Sequence, residues 1–220
     1  MNRQALVCRN ILEKPDITQR EMAKNMDISL GTVNGLVKEC LAEGYIAEKE
    51  NGKEKHLILL EKGKELLKPY KVDGALIIAA GFGSRFVPLT FETPKGLLEV
   101  FGERMIERQI KQLHEVGIYD ITIAVGYLKE KFEYLIDKYD VKLLYNPEYS
   151  CKNTLATVYR ARKFLKGRNV YILSSDNWMR ENMYHSYECG AWYSAAHEEG
   201  ETKEWCLTFN KKGRISDVNV

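Results

Sequence analysis

The residues with the most chemical content lie between positions 79 and 95: Ala79-Ala80-Gly81-Phe82-Gly83-Ser84-Arg85, then Pro94-Lys95. Glycines let a backbone approach a ligand and point N–H groups at it, and such a loop between a strand and a helix is a natural anion site. Arg85 can grip phosphate oxygens with two N–H groups, and Lys95 can reach one as a point charge. Together they suit a triphosphate. A second feature is Asp176, closing Tyr171-Ile172-Leu173-Ser174-Ser175-Asp176. A carboxylate just past a buried strand is where a hard cation would be held, because Mg²⁺ takes one or two carboxylates plus substrate phosphates. The same aspartate could instead cap a turn.

The letters exclude two phosphate loops. A Walker loop needs glycine five residues after Gly81, and a dinucleotide fingerprint needs one three residues after Gly83; Phe86 fills both places. What remains is A-A-G-x-G-[ST]-R-x-x-P-x-T-x-x-x-P-K, running from Ala79 to Lys95 with Pro88 and Thr90 in place. This resembles the signature of nucleotidyltransferases that join a nucleoside triphosphate to a phosphorylated small molecule. The plainer alternative is a glycine turn that only packs strand on helix. The resemblance implies that Ala79, Ala80, Gly81, Phe82, Gly83, Ser84, Arg85, Lys95, Gly126, Tyr127, Asn153, Thr154 and Ser175 contact the nucleotide. It makes Arg85, Lys95 and Asp176 the catalytic set, with Mg²⁺ at Asp176. Asn153 could read base edges with its amide or could simply cap a helix; both readings stand.

The segment from Gly83 to Val100, with Ile106-Glu107-Arg108-Gln109-Ile110 and Val125-Gly126-Tyr127-Leu128-Lys129-Glu130-Lys131-Phe132, is more similar to bacterial phosphocholine cytidylyltransferases than to sugar-1-phosphate enzymes. The sugar enzymes usually place proline where Gly96 stands. The likeness covers residues 73 to about 218 and implies CTP and phosphocholine as substrates. Trp178, Tyr184, Tyr187, Trp192, Tyr193 and Trp205 crowd one stretch, with Glu181 and Glu188 nearby. Aromatic faces bind quaternary ammonium at about 0.5–2 kcal/mol each. Trp178, Trp192 and Tyr193 are therefore the acceptor candidates; a core or a homodimer interface is the commoner use of such residues.

The elements that must position these groups alternate. Apolar runs at Ala75–Ala80, Ile121–Val125, Val141–Tyr145 and Asn169–Leu173 are separated by helical patterns over Met105–Val116, Glu130–Tyr139 and Leu155–Leu165. That order predicts an α/β fold, a Rossmann-like, mainly parallel sheet with helices on both faces, with ligands beyond the strands' carboxyl ends. The Gly81 loop, Gly126-Tyr127 and Ser174-Ser175-Asp176 fall at those ends.

Residues 1–68 read differently. A helix ends near Pro15, Thr18 and Glu21 form a capping box for a second, and Ser29 caps a third that stops at Gly44. Strand-like Tyr45-Ile46-Ala47 and His56–Leu59 flank an Asn51-Gly52 turn, and Leu60-Glu61-Lys62-Gly63 opens a further helix. This resembles the winged helix-turn-helix domains of MarR-like regulators, and the resemblance implies DNA contacts through Ser29, Gly31, Thr32, Asn34 and Lys38 on the third helix. On the wing it implies Lys49, Asn51, Lys53 and Lys55. Residues 1–72 hold thirteen Lys and Arg against eleven Asp and Glu, so no basic stripe supports the point. Dimerisation or ligand sensing are the other roles such a domain could play. Residues 69–72 then read as a linker, and 73–220 as the nucleotidyltransferase domain.

The chain is 220 residues long with formal net charge +2, which argues against a whole-surface nucleic-acid or membrane partner. No signal-peptide pattern or membrane-length apolar run is present, and five cysteines without C-x-x-C spacing suggest reduced thiols, hence a cytoplasmic protein. Proteins of the resembled kind usually run further, with a second metal-binding aspartate; Asp217 is read as lying in a polar turn, and the domain as C-terminally incomplete. A sugar-phosphate nucleotidyltransferase, or a transcription regulator that senses a nucleotide or choline metabolite, are the alternative functions.

Overall fold

Local capping sets the N-terminal helices in the computed structural model. The structure describes every residue except Met1, Gly52, Lys53, Ala196, Glu198, Lys203, Glu204, 211–213 and Val220, and the side chains of residues 51, 54 and 55 also lie outside the description. Helix α1 (Arg3–Glu13) starts where the Asn2 side chain accepts the Ala5 N–H. Helix α2 (Gln19–Asn25) opens with the Thr18–Glu21 capping box. Helix α3 (Leu30–Ala42) is capped by Ser29, whose Oγ accepts the Thr32 N–H at 3.1 Å, and the chain leaves it through Gly44 at φ +70°. Strands β1 (Ile46–Asn51) and β2 (Glu54–Leu59) pair antiparallel as the wing, and α4 (Glu61–Leu67) follows. Their apolar faces close over Ala5, Val7, Met22, Val33 and Cys40. The wing candidate Lys53 lies outside the described residues, as does the side chain of Lys55.

The expected linker is a pinned turn. Lys68–Tyr70 forms one turn of 3₁₀ helix, Val72 N–H donates to Ser186 O at 2.9 Å, and Glu188 N–H donates to Tyr70 O at 2.8 Å. Strand β3 (Gly74–Ala79) then enters the sheet. A ribbon of β4 (Glu99–Val100) and β5 (Glu103–Arg104) leads to α5 (Met105–Glu115), β6 (Ile121–Val125), α6 (Tyr134–Tyr139) and β7 (Lys142–Tyr145). Helices α7 (Thr154–Arg160) and α8 (Arg162–Leu165) and strand β8 (Val170–Ser174) complete the sheet, whose order is β7-β6-β3-β8 with every neighbour parallel.

Period-two patterning explains the layers. Ala75, Ile77 and Ala79 of β3 face α5 and α6, against Ile106, Ile110, Leu113 and Leu135. Leu76 and Ile78 face the other way, against Ala161, Phe164 and Leu165. Two expected helices differ in detail. The Leu155–Leu165 helix is broken at Ala161, which sits buried against Leu76 and Ala124, and the Glu130–Tyr139 helix begins as a 3₁₀ turn before α6.

The winged helix and the sheet belong to one compact unit, Met1–Gly190. Cys189 and Tyr187, which follow the last sheet strand, pack into the winged-helix core. Arg9 Nη1 meets Glu188 Oε2 at 3.2 Å and donates to Tyr187 O, Glu188 accepts from the Tyr171 hydroxyl, and His185 Nδ1 lies 2.9 Å from Glu13. Glu188 is therefore used at this junction and Tyr184 in the sheet core, so neither serves as acceptor-site charge or ring.

Residues Ala191–Val220 form a second unit. In it β9 (Cys206–Phe209) and β10 (Ile215–Asn219) pair antiparallel. Asp217 sits within β10 beside a register irregularity, not in a turn, because Ile215–Asn219 finds strand partners in Cys206–Phe209.

Glu107 is the buried charge of α5. Its carboxylate accepts from Tyr134 Oη at 2.7 Å, Lys138 Nζ at 2.6 Å and Tyr139 Oη at 2.8 Å. Burial raises its pKa, but these bonds outweigh that and bring it to about 2. The native state then binds fewer protons than the unfolded chain between about pH 2 and the ordinary value of 4.5. Stability from Glu107 is complete above that window and is lost as pH falls through it. Melting temperature followed from pH 6 to 3 should fall less steeply in Glu107→Gln than in the wild-type protein.

Candidate active site

Parallel strands share one direction, so β3, β6 and β8 deliver their following loops to the same end of the sheet. Two backbone bonds fasten those loops to β3. Tyr127 N–H donates to Ala80 O and Ser175 N–H to Ile78 O, each at 3.1 Å. Gly126 is needed there, since a Cβ would lie 2.7 Å from Ala80 O and 2.6 Å from the Tyr149 Cβ.

Ala79 and Ala80 are buried at the end of β3, and the loop then turns outward. Gly83 adopts φ +66°, its carbonyl accepts from Thr90 Oγ1 at 2.9 Å, and a Cβ on it would meet Thr90 at 2.9 Å. Nothing lies within 4 Å of the place a Cβ on Gly81 would take, so this stretch of backbone is open to approach. The loop continues as single 3₁₀ turns, Ser84–Phe86, Leu89–Phe91 and Lys95–Leu97. Pro88 and Pro94 punctuate this path and favour short turns over a continuous helix. Any anion here would therefore meet turn N–H groups, Arg85 and Lys95, without a long helix behind them.

The last of those turns brings Lys95 to Asp176. Lys95 Nζ donates to Asp176 Oδ2 and lies 4.6 Å from the Phe86 ring centroid; Ser174 Oγ donates to Asp176 Oδ1. The two charged side chains are 27% and 25% exposed. Burial pushes the Asp176 carboxyl up, but the Lys95 and Ser174 hydrogen bonds and the lysine charge hold it below the ordinary carboxylate value. It is thus ionised at neutral pH. As a cation ligand it offers one carboxylate, which fits a Mg²⁺ carried chiefly by a triphosphate. Among the described residues, no cluster of three or more His, Cys, Asp or Glu is placed to hold a metal.

The other sequence candidates divide. Ser175 is buried beneath Lys95-Gly96, and Tyr127 donates to Phe91 O at 3.2 Å. Phe82 packs on Tyr127 and Tyr149 with centroids 5.1 and 5.2 Å apart. Asn153 caps α7 by accepting the Leu155 N–H at 3.1 Å, with Thr154 the first helical residue. The Arg108 guanidinium lies over the Trp178 ring at 4.7 Å, and Phe101 meets that ring as a tilted pair with centroids 5.1 Å apart. Trp192 and Tyr193 lie in the second unit, ahead of β9 in neither helix nor strand. On α3, Ser29 and Thr32 join their hydroxyls at 2.8 Å, while Asn34 and Lys38 are exposed.

Sequence reading missed Tyr149 and gave no separate role to Ser174, named only within the strand-end segment Ser174-Ser175-Asp176, or to Gln109, named only within Ile106–Ile110. An aromatic after β7 carries no motif; only folding brings it to Phe82.

A family model for nucleotidyl transferases matches residues 74–198, more than half of the chain, and a winged helix-turn-helix DNA-binding model matches residues 9–47. The chain belongs to the nucleotidyl transferase family. It is similar to choline-phosphate cytidylyltransferase of Streptococcus pneumoniae (strain ATCC BAA-255 / R6), 39% identical over 146 residues, covering 66% of this chain and 63% of that protein. It is also similar to 2-aminoethylphosphonate cytidylyltransferase of Lancefieldella rimae, 36% identical over 143 residues, covering 64% of this chain and 58% of the relative. The solved CTP:phosphocholine cytidylyltransferase from Streptococcus pneumoniae superposes with a TM-score of 0.63 at 39% identity, over 68% of this chain and 64% of that one. The chain thus spans 58–64% of the length of these relatives.

Gly96 has a specific reason to be glycine. A Cβ there would lie 2.8 Å from Ser175 Cβ and 2.9 Å from its Oγ. Gly96→Ala should push residues 175 and 176 away from the glycine loop, at roughly 1–3 kcal/mol of overpacking. Thermal melting and the crystal position of Asp176 check this; an unmoved Asp176 and an unchanged melting temperature would refute it.

Proposed function

We propose that this chain transfers a cytidylyl group from CTP to phosphocholine, producing CDP-choline and pyrophosphate. The observation that carries nucleotidyl transfer is the convergence of the open Gly81 backbone, Lys95 and Asp176 at one end of the sheet. The choice of CTP and phosphocholine rests on likeness to the streptococcal cytidylyltransferase.

In this reading the triphosphate lies along Ala79–Arg85, with turn N–H groups and Arg85 on its oxygens. A phosphate oxygen of phosphocholine attacks the α-phosphorus; that P–O bond forms as the α–β bridging bond breaks, and pyrophosphate takes the electron pair. Lys95 turns from Asp176 toward the phosphates and offsets charge on the leaving group. Asp176 would hold the Mg²⁺, which, when bound, supplies further charge neutralisation on the phosphates. Positioning and charge stabilisation suffice, with no covalent intermediate on the protein. Gly126, Tyr127, Asn153, Thr154 and Ser175 border the nucleotide, and Trp178 is the proposed aromatic contact to the choline group. The cytoplasm, where CTP is made, is the proposed compartment.

Pyrophosphate release should be seen with CTP plus phosphocholine and not with other NTPs; preference for 2-aminoethylphosphonate would change the acceptor, and CTP binding without release would favour sensing over catalysis. Lys95→Ala and Asp176→Ala should each lower turnover by about 100-fold or more while staying folded, with a lowered melting temperature because the remaining charge loses its partner. Folded variants with full turnover would remove these residues from the reaction.

The winged helix is proposed to bind duplex DNA through the exposed face of α3. Asn34→Ala with Lys38→Ala should weaken gel retardation of bound operator fragments and leave pyrophosphate release unchanged. Equal retardation by wild type and variant would place the contact elsewhere.

A further inference from the structure

The chain from 175 to 183, which carries Asp176, has neither helix nor strand to hold it. Two backbone carbonyls bracket the aspartate, those of Ser174 and Asn177. Both accept from one side-chain nitrogen, Gln109 Nε2, at 2.9 and 2.7 Å. Gln109 is on α5 and is 1% exposed. Its Oε1 is buried and has no partner among the described residues, so the amide gives both N–H groups to this turn. The reversed amide would set an oxygen against two carbonyl oxygens, so the neighbours dictate the orientation. One turn further along α5, Gln112 Nε2 donates to Met179 O at 3.1 Å, extending the same support.

The buried amide satisfies two backbone carbonyls, one at the end of β8 and one beyond it. The gain is local: the two bonds fix the turn at whose centre Asp176 meets Lys95. We propose that Gln109 is a positioning residue for Asp176, setting its carboxylate toward the glycine loop without touching substrate. This rests on the nucleotidyl transfer reading for its catalytic consequence, but the positioning itself does not.

Gln109→Leu and Gln109→Met keep the side-chain volume and remove both hydrogen bonds. In the variant that melts closest to wild type, turnover should fall about 10- to 100-fold with the KM for CTP within about threefold, as expected when a reacting group is misplaced by a fraction of an ångström. In an Asp176→Asn background the same substitution should cost almost nothing more, because the effect passes through Asp176. A second readout needs no turnover: in the crystal structure of the Gln109 variant the Asp176 carboxylate should be displaced from Lys95 Nζ relative to the wild-type protein. Additive losses in the cycle together with an undisplaced carboxylate would overturn the proposal. A displaced carboxylate in a protein that releases no pyrophosphate from any NTP would keep Gln109 as the positioning residue and sink the transferase reading alone.

Discussion

The Lys95–Asp176 pair closes the first unit at its chemical end, and much of the surrounding structure exists to let the two meet. A half-buried charge is tolerated when a partner and further hydrogen bonds offset its lost hydration. Lys95 arrives on a turn after the glycine loop, Asp176 on the loop after β8, and they are 81 positions apart in sequence. Their meeting requires β3 and β8 to be parallel neighbours, Ser175 N–H to reach Ile78 O, and residue 96 to lack a Cβ. Gly83 at positive φ, held by Thr90, sets the other wall.

A second set of interactions ties the winged helix to the same chain segment. After leaving Asp176, the backbone runs along α5 and enters the junction with α1. There Arg9 and Glu188 form an ion pair only 11% and 16% exposed. Such a pair adds little net stability over an apolar contact, but breaking it leaves a buried charge at about 3–5 kcal/mol. It therefore acts more as a fixed register between α1 and residues 185–189 than as a source of stability. The Pro69 turn, whose carbonyls accept from Asn169 and Glu188, removes the freedom a four-residue tether would otherwise have.

The aromatic residues show how little composition says about use. Tyr184 fills the sheet core, Tyr187 packs on the winged-helix core, and Trp178 lies under the Arg108 guanidinium. The rings that gather beside the glycine loop are Phe82, Tyr127 and Tyr149, from three separate loops. Burial of large apolar area decides most aromatic placements before any ligand preference is expressed.

Short-range physics was readable in the letters. The Thr18–Glu21 capping box, the Ser29 cap and the Gly44 stop lie within a turn of the residues they serve. The apolar runs of β3 and β6 mark strands buried on both faces, and the glycine loop with Lys95 and Asp176 carries a pattern of charge and glycine that other phosphate loops do not share. The tertiary structure decided what depends on distant partners. It broke the 155–165 helix over Ala161, turned the residues after the glycine loop into 3₁₀ turns, and put Asp217 in a strand. It also spent Glu188 on Arg9 and gave Gln109 to two carbonyls. Each of these outcomes depends on a contact partner tens of residues or more away, or on packing across the sheet, and neither propensity nor spacing along the chain contains that information.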